Sequence, residues 1–386
     1  MLHERARQLA GESAFDVLHR AQELEATGVD VIHLEIGQPD FPTPPHIKEA
    51  AVRALEDGHT GYGPSQGLPA LREAIAEKAG CLRGLSFSPE QVVVAPGAKA
   101  LLFYTINALA GPGDEVICPD PGFPAYQSVI GHSGATAVPL PLREKSGFRF
   151  DADEFRSLVS SKTRLVILNS PQNPTGGVLE REDLEVIARE AAEKDFLVLS
   201  DEIYLHFCYD SPFETIASLK EAEGRVIIVD GFSKAYSMTG WRMGYAILPP
   251  GLVETFDLYN VNIASCACTF SQHAAIEALR GPQDSVSNMV SEFRTRRDYL
   301  VEALNAVDGI SCTIPRGAFY AFANISETGM SSAEAAAKLL DEAGVAVLSG
   351  ASFGPCGEGY IRLSYATSMA RLEAAVERIA AFLAKH

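Results

Sequence analysis

The chain has 386 residues, of which 47% are apolar and 21% charged, ordinary globular usage that excludes disorder or fibrous repeats for its bulk. Its formal charge of −18 argues against non-specific binding to nucleic acid or anionic membrane, which needs a basic face, and no apolar run approaches the roughly 18 residues of a membrane span. Seven cysteines, an odd number spread over a long chain, read as reduced thiols and point to the cytoplasm.

In chain order, the opening MLHERARQLAG carries charges of both signs and no apolar core, which does not fit a signal peptide. Residues 13–27 place Phe15, Leu18, Ala21 and Leu24 at helical spacing. VIHLEIGQPDFPTP extends and then breaks at its prolines; a helix is predicted over 45–57, GHTGYGPSQG is a loop, and helix signals run from Leu68 to about Gly80. From 91 onward short β-branched runs (91–95, 114–119, 135–141, 163–169, 196–201, 225–231 and 243–248) alternate with helical stretches such as 179–194. That texture predicts an α/β fold: a mostly parallel, seven-stranded sheet flanked by helices. After 250 come long helical segments to about 305, then GISCTIP, GAFYAFANI, a helix, VAVLSG, YIRLSYA and a last helix, which read as a smaller α+β domain. Residues 1–45 stand outside the alternating pattern and are assigned to it. The expected division is 46–281 for the large domain and 1–45 with 282–386 for the small one.

Gly61-Tyr62-Gly63-Pro64-Ser65-Gln66-Gly67 imitates a dinucleotide-binding loop, but its spacing is wrong and no strand precedes it. The informative positions follow the strands, because ligands of open α/β sheets collect at their carboxyl ends. Pro96-Gly97-Ala98-Lys99 turns into a helix whose free N–H groups suit a phosphate. Phe123, Asn173, Asp201, Tyr204, Ser233, Lys234 and Arg242 follow later runs. Singly, Asn173-Pro174 could be a turn, Asp201 a helix cap, Lys234 a surface lysine and Phe123 core. Together they supply an anion cradle, an aromatic plate, an amide, a carboxylate, a phenol, an amine and a guanidinium on one rim. A phosphorylated aromatic aldehyde uses all of them: the amine forms a Schiff base, the carboxylate keeps the ring nitrogen protonated, and the cradle holds phosphate. Such a cofactor is pyridoxal 5′-phosphate.

The blocks IGQPDFPTP, GYGPSQG, SPQNPTG, SDEIY, SKAYSMTGWRMG and YIRLSYA, in this order and spacing, resemble the class I/II aminotransferases, fold type I of the pyridoxal-phosphate enzymes. The resemblance covers essentially the whole chain. It implies that Lys234 binds the cofactor aldehyde and moves the substrate proton, and that Asp201 pairs with the ring nitrogen. Asn173 and Tyr204 would bond the ring oxygen, and Phe123 would stack on the ring where the family often has Tyr or Trp. Ser233, Arg242 and the Gly97-Ala98-Lys99 turn would hold phosphate; Ala98 lacks the hydroxyl common in this turn, so contact there falls to the backbone. Arg362 would clamp the substrate α-carboxylate, with Gly37 and Asn173 lining that pocket. Tyr62 would reach the phosphate of a neighbouring subunit, making a homodimer with shared sites.

The resemblance implies amino-group transfer from an L-amino acid to a 2-oxo acid in a ping-pong cycle. The alternatives are a β-lyase on the same fold, whose relatives tend to carry His where Tyr204 stands, and a non-catalytic binding protein, against which the retained Lys234, Asp201 and Arg362 argue. Cys266, Cys268 and His273 lack the second pair of a metal site, so no metal is expected. Glu202 reads as solvated or structural. The stretch 100–110 holds no lysine or arginine, which removes one way of binding a second substrate carboxylate.

Overall fold

The computed structural model describes residues 7–386; residues 1–6, the start of the opening segment and of the expected small domain, lie outside the described residues. Each of the seven β-branched runs forms a strand. These are β2 (Val92–Ala95), β3 (Glu115–Asp120), β4 (Thr136–Pro141), β5 (Thr163–Asn169), β6 (Leu197–Asp201), β7 (Val226–Gly231) and β8 (Gly244–Ile247), after a short β1 (Ile32–His33). They make one sheet in the order β2-β8-β7-β6-β5-β3-β4. Only β8 runs against its two neighbours, so the sheet is mostly parallel. Both faces are covered, which is why the strands carry consecutive apolar residues rather than alternating ones. Val93 and Ala95 pack on one side with the helices Ala98–Leu109 and Pro124–Ser133, whereas Val92 and Val94 pack on the other with Pro69–Arg83 and Thr269–Arg280.

The helix Pro69–Arg83 runs past its expected end at Gly80. A Cβ on Gly80 would lie 2.6 Å from Leu85 O, so that glycine admits the returning chain instead of ending the helix. The stop is Gly84, at φ +66°, a left-handed conformation that glycine adopts without strain.

The C-terminal part adds β9 (Ser311–Cys312), β10 (Tyr320–Asn324), β11 (Val345–Ala346), β12 (Leu348–Ser349) and β13 (Tyr360–Ser364). β12, β13, β10 and β9 form an antiparallel sheet. The N-terminal segment joins this part of the chain: β1 pairs with β11, Ile32 opposite Val345, and Ala21 and Val31 pack with Leu340 and Ala346. Among the described residues no helix is long and apolar enough to cross a membrane.

Candidate active site

In the parallel sheet, β3, β5, β6 and β7 lie side by side, and register pairs Asn169 with Asp201 at their carboxyl ends. Above them opens a cavity of about 730 Å³. Its floor is the strand ends; residues 36–38 of the segment after β1 close it together with Tyr320 and Arg362 of the C-terminal sheet. Of the expected site residues, Gly37, Ala98, Lys99, Phe123, Asn173, Asp201, Tyr204, Ser233, Lys234, Arg242 and Arg362 all line it.

Asp201 ends β6 and is buried. Burial pushes its carboxyl up to about 6, against the opposing pull of hydrogen bonds. Those bonds come from neutral donors, the Tyr126 hydroxyl at 2.6 Å and the Ile203 N–H at 3.4 Å. Among the described residues no cation pairs with it, an arrangement costly for a buried carboxylate unless a cationic group is brought to it. Tyr126 was not among the expected residues. The available signal is its place on the first turn of the helix Pro124–Ser133, three residues beyond Phe123, whose ring it meets edge-on at 5.6 Å.

Lys234 lies just beyond β7 and donates from Nζ to Gly37 O at 2.6 Å. Burial first, then the charges of Arg362, Lys99 and Arg242, bring its ammonium down to about 8. Tyr204 shares a 2.7 Å hydrogen bond with the hydroxyl of Tyr320, a second residue that the sequence did not single out. Burial raises the Tyr204 phenol well above its ordinary value, so it stays protonated at neutral pH. Gly37 has a steric reason: a Cβ there would lie 2.0 Å from the Tyr320 hydroxyl.

At the other end, Gly97 stands before the helix Ala98–Leu109 at φ +93°, and a Cβ on it would lie 2.4 Å from Arg242 Nη2. The guanidinium therefore lies directly on the turn, its Nη1 donating to Thr239 O at 2.8 Å. First-turn N–H groups and a cation converge there, a site suited to an anion. The Lys99 ammonium pairs with Glu12 and stands 5.4 Å from the Phe123 ring centre.

Arg362 leaves β13 and is 3% exposed. Its Nη1 donates to Asn173 Oδ1 at 3.1 Å and its Nη2 to Glu35 O, while its plane lies near the rings of Tyr320 (4.5 Å) and Phe353 (5.1 Å). Its Nε is buried without a partner. A rigid, desolvated guanidinium with an unused donor suits capture of a carboxylate.

Tyr62 is not brought to this cavity; it is 89% exposed, on a loop held by Thr269 Oγ1 to Gly61 O at 2.7 Å. Glu202 is structural, not solvated: Arg83 Nε, Ser200 Oγ and Thr215 Oγ1 donate to it at 2.6, 2.8 and 2.7 Å. Arg83 also binds Asp230 at 3.0 Å, tying the ends of β6 and β7 together. His273 stacks on His59 at 4.1 Å.

The residues present fit pyridoxal 5′-phosphate. The buried Asp201 lacks a cation, the Gly97 turn has backbone where a side chain would collide with Arg242, and the Lys234 ammonium is brought down to about 8. Comparison with known proteins points the same way. The family described as "Aminotransferase class I and II" matches residues 29–379. The chain is 44% identical to an aspartate aminotransferase of Pyrococcus abyssi, covering 91% of each chain. It is 41% identical to aromatic-amino-acid aminotransferase 2 of Thermococcus litoralis, covering 92% of each. The solved aspartate aminotransferase from Thermus thermophilus with maleate superposes with a TM-score of 0.95, at 38% identity over 99% of both chains.

Proposed function

The chain belongs to the class I and II aminotransferases, and from that premise we propose that the cavity residues divide the work of transamination as follows. The enzyme depends on pyridoxal 5′-phosphate and moves the amino group of an amino acid to a 2-oxo acid. When bound, the cofactor supplies an aldehyde to carry the amine and a cationic ring to draw electrons from the substrate carbon. Lys234 Nζ holds the cofactor and carries the Cα proton; an ammonium brought down to about 8 leaves a usable fraction of free amine near neutral pH. Asp201 would pair with the ring nitrogen of the bound cofactor, Asn173 and Tyr204 would bond its ring oxygen, and Phe123 would cover the ring. The Gly97-Ala98-Lys99 turn, Ser233 and Arg242 hold the phosphate. Arg362 orients the α-carboxylate, with Gly37 leaving room beside it. The observation that carries this reading is the shared cavity of a lysine whose ammonium is brought down to about 8, a carboxylate with neutral partners and a buried guanidinium with a free donor.

The test is a panel of donors, starting with the aspartate and aromatic amino acids that the relatives' names suggest, against 2-oxoglutarate and pyruvate. Stoichiometric formation of a new 2-oxo acid and a new amino acid supports the reading. Release of ammonia and pyruvate without an acceptor would instead reveal a β-lyase.

Arg362→Lys is expected to raise KM for both the amino acid and the oxo acid by roughly 10- to 100-fold, the loss of one charge-assisted hydrogen bond of about 1.5–3 kcal/mol. Cofactor absorbance should be unchanged. Equal KM values in steady-state kinetics would reject the clamp.

The working unit in this reading is a cytoplasmic homodimer, with the domain division at 46–281 against 1–45 and 282–386. Tyr62 supports the dimer: it is exposed on a loop tied through Ser65 O to Asn260 of a helix whose Leu258, Val261 and Ile263 are 49–56% exposed. Exposed apolar groups gathered in this way suit contact with a second copy. Mixed dimers of Lys234→Ala and Tyr62→Ala chains are expected to regain activity, since one site of each hybrid is intact. With random pairing, roughly a quarter of all sites recover. Verified hybrids that stay inactive, where Tyr62→Ala alone is impaired, would show that Tyr62 does not act across the dimer.

A further inference from the structure

Behind Arg362 the chain places a second carboxylate. Ser364 N donates to Leu34 O at 2.7 Å, so the stretch leading from β1 lies along β13. Its next residue, Glu35, is 0% exposed and accepts Arg362 Nη2 on its main-chain oxygen. The Glu35 side chain meets His33 Nδ1 through Oε1 at 2.8 Å, while Oε2 is buried with no partner. His33 is one-third exposed, and its Nε2 lies 3.2 Å from Glu25 on the helix Ser13–Ala26. Apolar residues occupy the positions on either side, Leu34 and Ile36. A carboxylate buried there with one free oxygen is costly to fold, and its one cationic partner opens to solvent.

We propose that Glu35 is a positioning residue for Arg362 and that, together with His33, it forms a proton-sensitive counter-charge behind the α-carboxylate clamp. The inference rests on Arg362 being that clamp. With His33 protonated, the His33–Glu35 pair is neutral and Arg362 presents its full charge to the substrate. With His33 neutral, Glu35 leaves a negative charge behind the guanidinium and opposes the incoming carboxylate. The His33 value sets the window. Partial burial pulls it down, but Glu35 and then Glu25 outweigh that and hold it above 6.5. Carboxylates should therefore bind more weakly as pH rises through that range, and by reciprocity a bound carboxylate should raise the His33 value further.

The other groups facing these residues are known. β11 presents only Val345 and Ala346 opposite β1, and Arg371 and Arg378 of the last helix are engaged by Asp30 and neighbouring main-chain oxygens. Arg362 also feels Glu12, Tyr204 and Tyr320. Lys234 and Tyr204 line the same cavity, so one pH profile cannot isolate His33; the ratio of variant to wild type can.

The experiment is calorimetric binding of 3-phenylpropionate, a non-reacting carboxylate, to the cofactor-loaded enzyme across pH 5.5–9. It compares wild type, Glu35→Gln, His33→Gln and Arg362→Lys. Wild-type Kd is expected to rise with pH by roughly fivefold more than that of Glu35→Gln, a modest coupling between neighbouring sites. His33→Gln should be weak at every pH. Parallel profiles for wild type and both variants would overturn the proposal. Should Glu35→Gln not fold, the partly exposed His33→Gln decides alone: retention of the wild-type profile overturns the proposal. Wild-type affinity in Arg362→Lys would instead sink the clamp reading, whereas weak binding there with unchanged Glu35→Gln and His33→Gln profiles would sink only the role of Glu35.

Discussion

Lys234→Ala is expected to lower multiple-turnover transamination by at least about 10⁴-fold, because one amine serves as both the covalent anchor and the proton carrier. The geometry supports one group in both roles. Nζ lines the cavity, held at 2.6 Å by Gly37 O, with burial first and then the cations Arg362, Lys99 and Arg242 discouraging its protonation. An ammonium at about 8 has about a tenth of its amine free at pH 7, roughly 200-fold more than an ordinary lysine at about 10.4. Labelling of the cofactor-free chain with trinitrobenzenesulfonate should therefore modify Lys234 with a half-maximal rate near pH 8, ahead of the surface lysines. Borohydride reduction of the loaded enzyme should leave the cofactor on the peptide containing Lys234. Attachment to another lysine, or turnover of Lys234→Ala within tenfold of wild type, would remove Lys234 from its role.

The main sheet was legible because its strands are buried on both faces. The run 163–169 carries four consecutive apolar residues, Leu165 to Leu168, and β5 occupies those same residues. The strand-end residues were legible for a related reason: parallel strands deliver the residues that follow them to one rim. What stayed hidden depended on contacts made across the chain. Tyr126 reaches Asp201 over 75 residues of separation and Tyr204 meets Tyr320 over 116. No local period marks which tyrosine will find a polar partner. Glu35 reads as one acid in an extended segment until β13 is placed beside it. Glu202 was open between solvent and structure because burial is decided by Arg83, 119 residues earlier. Gly80 looked like a helix end because glycine usually serves that way; here close approach of Leu85 O, not a turn, requires it.

Asp201→Asn should separate folding from chemistry, and the two effects should have opposite signs. A carboxyl raised from 3.8 to about 6 in the folded chain binds more protons folded than unfolded between those values. Stability of the cofactor-free protein therefore falls as pH rises from about 4 to 6, by about 3 kcal/mol in all. The amide that replaces the carboxyl in this variant would be neutral at every pH and could still accept from Tyr126. Without cofactor, the variant should melt higher than wild type at pH 7, and the gap should close below pH 4. With cofactor the order changes in wild type's favour, because a cationic ring nitrogen within about 4–6 Å gives the carboxylate the partner it lacks. Cofactor should raise the melting temperature of wild type more than that of Asp201→Asn. In catalysis the variant loses the charge that keeps the ring cationic, and kcat should fall by about 10³-fold, near 4 kcal/mol of barrier. Covalent attachment at Lys234 and phosphate binding at the Gly97 turn should persist. Thermal melts with and without cofactor, read beside kcat, distinguish this from a merely structural carboxylate. Asp201→Asn that is less stable than wild type without cofactor at pH 7, or that turns over within a few-fold of it, would show that the carboxylate at the end of β6 is not held in reserve for a cation.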